Sequence, residues 1–282
     1  MNVVSEDFEL NRHGIKENEE IQKLNKLLLE IRNFIYKFGF LTYGRDMIVM
    51  PQIGAVSGNQ ILDSASRTVE SIRYCCCSNG NFADAYCLLR KFRDDIFYYI
   101  YILAVGDKAD ITKFADLEHL TKNEKNVYNW FKNKQRDVYI GDVFKTIAAL
   151  SSTKDTIKKY NLQKSFSELA VKLNNYIHSN GYSYYNFSYQ KMDADNIIKK
   201  YCKEFGEVIT YVTMSFLLLL SLIRPGLIMA EDYVDYLDCG DNPPENSQFW
   251  VAPFVSQFVS SHKKILDEKC DEYLRSITGM QI

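Results

Sequence analysis

The chain has 282 residues and a formal net charge of −2. That length can bury a sizeable core without staples, and the charge gives no global basic excess to draw nucleic acid. Hydrophobic residues make up 46% and charged residues 25%, an ordinary globular balance. Seven cysteines, three of them consecutive at Cys75, Cys76 and Cys77, do not form a secreted disulfide framework. The segment Met1 to Glu20 is polar and lacks an apolar signal core, so free thiols in the reducing cytoplasm are expected.

Residues 1–18 read as a mobile polar arm, followed by a single helical domain over 19–282. Ile21, Leu24, Leu28, Ile31, Ile35 and Phe38 alternate spacings of three and four, which predicts a one-faced helix. Gly39 is its expected stop. The near-heptad pattern suits packing in a bundle, and also pairing with a second copy; the bundle is the preferred reading. Gly44, Pro51, Gly54 and Gly58 punctuate an irregular stretch with a short strand at Met47–Met50. Ser57 or Asn59 is placed to cap the next helix, whose apolar face is Ile61, Leu62, Ala65, Val69, Ile72 and Cys76. Ser78-Asn79-Gly80 ends it.

Asn81 is placed to cap a long helix to about Val105. Its second half, Ile96 to Leu103, is almost wholly apolar and aromatic, the mark of a helix central to a core. Residues 106–140 are polar and predict a helical insertion. Val143–Leu150 and Phe166–Tyr176 read as short helices. Asp193 is a candidate cap for a long helix through Ile223. Val208 to Ile223 carries no charge, yet it holds Thr210, Tyr211, Thr213 and Ser215 and is short for a span of about 20 residues. A buried central helix is therefore expected, with no integral membrane insertion. The tail 226–282, carrying Pro243, Pro244 and Pro253, should wrap the surface and end in a helix near Val255–Ile277. With no alternating strand run of any length, the fold class predicted is all-α: a multi-helix bundle with irregular connections.

The chain holds no Gly-x-x-x-x-Gly-Lys loop, Gly-x-Gly-x-x-Gly, His-Glu-x-x-His or Gly-x-Ser-x-Gly, which argues against nucleotide-dependent and common zinc enzymes. Cys75–Cys77 with Cys87 lacks the paired spacing of a zinc site and reads as small residues on a buried helix. Asp232, Asp235, Asp238 and Asp241 lack the alternate spacing and terminal Glu of a calcium loop and read as a solvated face. In 122–139, Lys122, Lys125, Lys132, Lys134 and Arg136 interleave with Tyr128, Trp130, Phe131 and Tyr139. That pattern suits RNA contact, but Glu124 and Asp137 dilute it, and a solvated helix with inward-facing rings is the preferred reading. No metal or cofactor is implied.

Two segments remain. Arg90-Lys91-Phe92-Arg93-Asp94-Asp95 places charge in a mainly apolar helix, where it needs partners or a polar cavity; Arg90 and Asp94, four apart, can pair. Asn174-Asn175-Tyr176-Ile177-His178-Ser179-Asn180-Gly181 closes a helical stretch with a turn signal. His178 is one of four histidines, and an imidazole suits proton transfer; as a structural residue it would cap a helix end.

Lys172-Leu173-Asn174-Asn175-Tyr176-Ile177-His178 resembles the motif of the HEPN superfamily of helical bundles: an arginine, a polar residue, and a histidine after four to six intervening residues. His178 matches, and the Asn174–Asn175 pair is suitably polar, but Lys172 stands where arginine is usual. The resemblance covers about 57–225. It implies a homodimer with two histidine motifs facing a shared cleft. It also implies a metal-independent ribonuclease of toxin–antitoxin or phage defence (antiviral) systems, or an inactive binding module. By that resemblance His178 would be the acid/base for attack by a ribose 2′-hydroxyl, and Arg90, Arg93 or Lys172 would hold the phosphate. The alternative is a non-catalytic helical module that binds a protein or small ligand.

Overall fold

The computed structural model describes residues 15–50, 53–109, 118–134, 138–184, 195–243, 250–280 and 282, with the side chains of 195–197 left aside. Its secondary structure is helical apart from one small hairpin and an isolated bridge, so the chain is an all-α multi-helix bundle. Residues 1–14, Asp193 and Arg136–Asp137 lie outside the described residues. Ile15, placed in the polar arm on sequence grounds, is buried in the core.

Helix α1 (Glu19–Thr42) begins at Asn18, whose side chain accepts from the backbone N–H of Glu20 and Ile21 at 3.0 and 3.3 Å. That satisfies two of the donors a helix start leaves open. The expected apolar stripe is buried. The helix does not stop at Gly39. Asn59 and Leu62 of the next helix come within 3.6 and 3.7 Å of where a Cβ on Gly39 would stand, so this glycine serves close helix packing, and Gly39 O accepts from Asn59 Nδ2. The chain turns at Gly44, whose φ of 76° lies in the left-handed region that suits glycine.

Strands β1 (Met47–Met50) and β2 (Gly54–Ser57) then pair antiparallel, with Met47 opposite Ser57 and Met50 opposite Gly54. The first strand was anticipated; the second, Gly-Ala-Val-Ser, gives no sequence signal of its own. Ser57 Oγ donates to the buried Asp46 at 2.7 Å and accepts the Asn59 N–H at 3.1 Å, starting α2 (Asn59–Arg73) just past Gly58. Burial raises the Asp46 pKa above the usual carboxylate value. A carboxyl whose folded pKa is raised loses stabilisation as pH climbs from its unfolded pKa, about 4, through the folded one. Asp46→Asn should therefore flatten the fall in melting temperature above pH 4 relative to wild type. Parallel pH–melting curves for the two proteins would remove Asp46 as the cause.

The α2 helix passes into a π-type turn, Tyr74–Ser78, before Gly80. Helix α3 (Phe82–Gly106) follows, capped as expected by Asn81, which accepts from Asp84 N at 3.1 Å. Helix α4 (Lys122–Phe131) is held by a reciprocal capping box between Thr121 and Glu124. Three helices come next: α5 (Ile140–Ala148), α6 (Ser151–Lys159) and α7 (Leu162–Ile177). The polar α6 was not anticipated; it turns Thr153, Thr156 and Ile157 inward.

The longest helix, α8 (Asp195–Ile223), is long and apolar enough to cross a membrane by length and composition, and 72% of its apolar window is buried inside the protein. Thr213 and Ser221 return their hydroxyls to backbone carbonyls of the same helix at 2.9 Å each, which satisfies them without water. Around α3 and α8 the core is aromatic. Phe38 and Tyr99 contact Phe216, while Phe97, Phe144 and Phe166 form one cluster.

The tail wraps back over α1. Helix α9 (Glu231–Cys239) ends at left-handed Gly240, and a Met229–Val251 bridge precedes α10 (Pro253–His262). The single terminal helix expected over 255–277 is instead two. Lys263–Ile265 turns as a 3-10 segment, and α11 (Cys270–Thr278) follows. Phe258 stacks on Phe34 at 4.1 Å and seats α10 against α1.

Candidate functional site at the end of helix 7

The two chemically promising segments lie on packed neighbours. Leu162, Phe166, Leu169 and Leu173 recur at spacings of four and three and are the buried face of α7. Tyr176 stacks on Tyr86 at 4.4 Å, and Phe166 meets Phe97 at 4.5 Å, so α7 runs antiparallel to α3. Arg90 and Arg93 stand four and seven residues past Tyr86, about 6 and 10 Å along α3 at 1.5 Å per residue. His178 lies two residues beyond Tyr176 in the opposite direction. The helix pair thus separates the imidazole from Arg90 and Arg93 by about 9 and 13 Å along its axis.

The charged cluster of α3 is internally matched. Arg93 is 1% exposed. Its Nε and Nη2 donate to Asp94 at 2.9 and 2.6 Å, and its Nη1 is buried without a hydrogen-bond partner among the described residues. Arg90 Nε sits 3.7 Å from Asp94, as the four-residue spacing foretold. Lys91 pairs with Asp95 and donates to Ser64 at 3.0 Å. Burial raises the Asp95 pKa against the opposing pull of Lys91. From its enclosed position Arg93 acts on its surroundings through Asp94.

The end of α7 is different. Lys172, Asn175 and His178 recur every third residue, which keeps them on one side of a helix. Lys172 pairs with Glu204 of α8 and lies 4.7 Å from the centre of the Tyr86 ring. Asn175 donates to Tyr184 Oη at 3.0 Å and accepts from Asn180 Nδ2 at 3.2 Å. Ser179, at φ 52°, and Gly181, at φ 146°, turn the chain so that Tyr184 meets Tyr176 edge-on at 4.9 Å. Burial first, then Glu204, pushes the Tyr86 and Tyr176 hydroxyls far above their ordinary pKa, so both stay neutral.

His178 is the C-cap residue of α7 and is exposed. Its backbone N–H donates to Asn174 O at 2.9 Å. Among the described residues the ring makes no hydrogen bond or ion pair. The structure therefore sets Asn175 one turn before His178, leaves Lys172 and Arg90 each about 9 Å from it along the helix axes, and places Arg93 and Asp94 farther along α3. Sequence reasoning missed Glu204, Tyr86 and Tyr184; each reaches the site from another element and leaves no mark near the motif.

Elsewhere, Trp130 of the basic-aromatic segment packs on Tyr98 at 5.2 Å and Phe131 on Trp130 at 5.0 Å, an inward use of those two rings, whereas Tyr139, expected inward, is exposed. Among the described residues no group of three or more His, Cys, Asp or Glu side chains converges as a metal site. No protein-family model matches the chain, and neither curated proteins nor solved structures gave a match.

Proposed function

We propose that the end of α7 is the working site of a HEPN-like, metal-independent ribonuclease. The observation that carries this reading is an exposed imidazole on a rigid mount. His178 ends a helix pinned by the Tyr86–Tyr176–Tyr184 rings, with Lys172 and Asn175 on the same side. In the reaction, His178 takes the proton of a ribose 2′-hydroxyl as that oxygen attacks the adjacent phosphorus. The bond to the 5′-oxygen breaks, that oxygen acquires a proton, and the product is a 2′,3′-cyclic phosphate. Lys172, about 9 Å before His178 along α7, would be the cation for the growing phosphorane charge, as a point charge without the fork of an arginine. Glu204 holds that lysine at rest, so substrate phosphate and Glu204 compete for it.

The test is RNA cleavage by His178→Ala beside wild type, with circular dichroism to show that the fold survives. Loss of an acid/base group should cost about 10²–10⁴-fold in rate. Equal cleavage by a folded His178→Ala protein would overturn the assignment.

A second reading, a non-catalytic helical binding module, is favoured by a different observation: Arg90, Arg93 and Lys172 each already sit against a carboxylate. On that reading wild type and His178→Ala are equally inactive on RNA.

A further inference from the structure

Helix α1 carries two heptad stripes. The first, beginning Ile21, Leu24 and Leu28, is buried. The second runs Lys26, Leu29, Asn33, Tyr36 and Phe40, at spacings of three and four, and it faces outward; Tyr43, exposed too, is the non-helical residue just past the end of α1. Leu29 is 40% exposed, Tyr36 43%, Phe40 67% and Tyr43 74%. A contiguous exposed apolar stripe of this kind marks an interaction face. Clefts flank it on both sides. One, of about 490 Å³, is bordered by Leu29, Asn33, Lys37, Phe254 and Gln257; the other, of about 400 Å³, by Tyr36, Phe40, Tyr43, Asp63 and Arg67.

We propose that this seam seats α1 of a second copy of the chain, antiparallel, about a twofold axis between Asn33 and Tyr36. The stripe is self-complementary in that direction. Leu29 meets Phe40 of the partner subunit, and Asn33 meets Tyr36 of the partner subunit; each layer occurs twice, as an isologous interface requires.

The flanking charges choose the same direction. Glu30 and Lys37 border one edge of the seam, seven residues apart, so antiparallel helices set Glu30 against Lys37 of the partner subunit. Parallel helices would set Lys37 against Arg32 of the partner subunit, two cations. Glu30 Oε1 already meets His262 at 3.0 Å, which leaves Oε2 for the lysine. Asn33, linked to Arg32 at 2.9 Å, is the uncharged polar residue among Leu29, Tyr36 and Phe40, the kind that fixes register and number of strands. From Lys26 to Phe40 the seam runs about 21 Å. A seam that short should make assembly depend on concentration.

The face is distinct from the α7 end. α1 packs on α2 and α8, while α7 packs on α3, and the assembly proposed here stands whether or not the chain cleaves RNA.

The experiment is sedimentation velocity of the full chain from about 1 to 100 µM, the range suited to a modest interface. Wild type should pass from monomer to dimer. Phe40→Lys should raise the dissociation constant at least about 100-fold, tenfold for each of the two symmetric contacts. Lys37→Glu should also weaken the dimer, and Glu30→Lys combined with Lys37→Glu should restore it. Three results would overturn the proposal. One is a chain that stays monomeric throughout. Another is a dimer indifferent to Phe40→Lys. The third is a dimer that Lys37→Glu tightens, which marks parallel pairing.

Discussion

Tyr86→Ala is expected to cost about 3–5 kcal/mol of folding stability, in the range for truncating a buried aromatic. Tyr86 is almost wholly enclosed. Its ring stacks on Tyr176, meets Phe205 edge-on at 4.9 Å and lies beneath the Lys172 ammonium. Removing it opens a cavity where α3, α7 and α8 join, and it frees the last turn of α7 on which His178 sits. Tyr86→Phe keeps every ring contact and should lose only about 1 kcal/mol, a net hydrogen bond's worth. Urea unfolding at unchanged slope measures both. A cost below about 1 kcal/mol for the alanine variant would mean that the three helices are not joined through this ring.

Arg93→Ala is the second large effect, at about 3 kcal/mol. The change deletes a fully buried long side chain and one half of a matched pair, and breaking such pairs is commonly worth 3–5 kcal/mol. The lower end applies because Asp94 is half-exposed and has Arg90 at 3.7 Å as a remaining partner. Arg93→Met refills most of the space without the charge. It should recover most of the loss, because the orphaned Nη1 disappears with the guanidinium. If alanine and methionine cost the same, the arginine's value lies in its charge. Thermal melts of the two variants decide between packing and charge. Neither variant tests chemistry, since Arg93 is closed to solvent and its partner Asp94 lies on the same helix.

What was legible in the residues follows from what is local. The cap at Asn81, the buried stripe of α1 and the Arg90–Asp94 pair each rest on neighbours within one turn of helix, and all stand in the structure. Gly39 was misread as a stop because its meaning depends on α2 lying close by, a fact held 20 residues away at Asn59. Helix α6 hid because its sequence is polar and its three inward residues include two threonines. At the α7 end the order Lys172, Asn175, His178 was visible. Their settings were not, because Glu204, Tyr86 and Tyr184 come from outside the helix. The second stripe of α1 was written in the same segment as the first, and only burial separates core from surface. The sequence marks Ile35 and Phe38 for the core, and what only the structure adds is that Tyr36 and Phe40 between them stay exposed.

The proposed ribonuclease chemistry rests on the His178 imidazole taking a proton from the attacking ribose hydroxyl. The direct measurement is the chemistry of the RNA ends left after incubation with the full chain in a chelator of divalent metals. Fragments should end in 2′,3′-cyclic phosphate with new 5′-hydroxyls, formed with metals removed and lost with His178→Ala. Intact RNA, fragments bearing 5′-phosphates, or cleavage that stops when metal is withdrawn would contradict it.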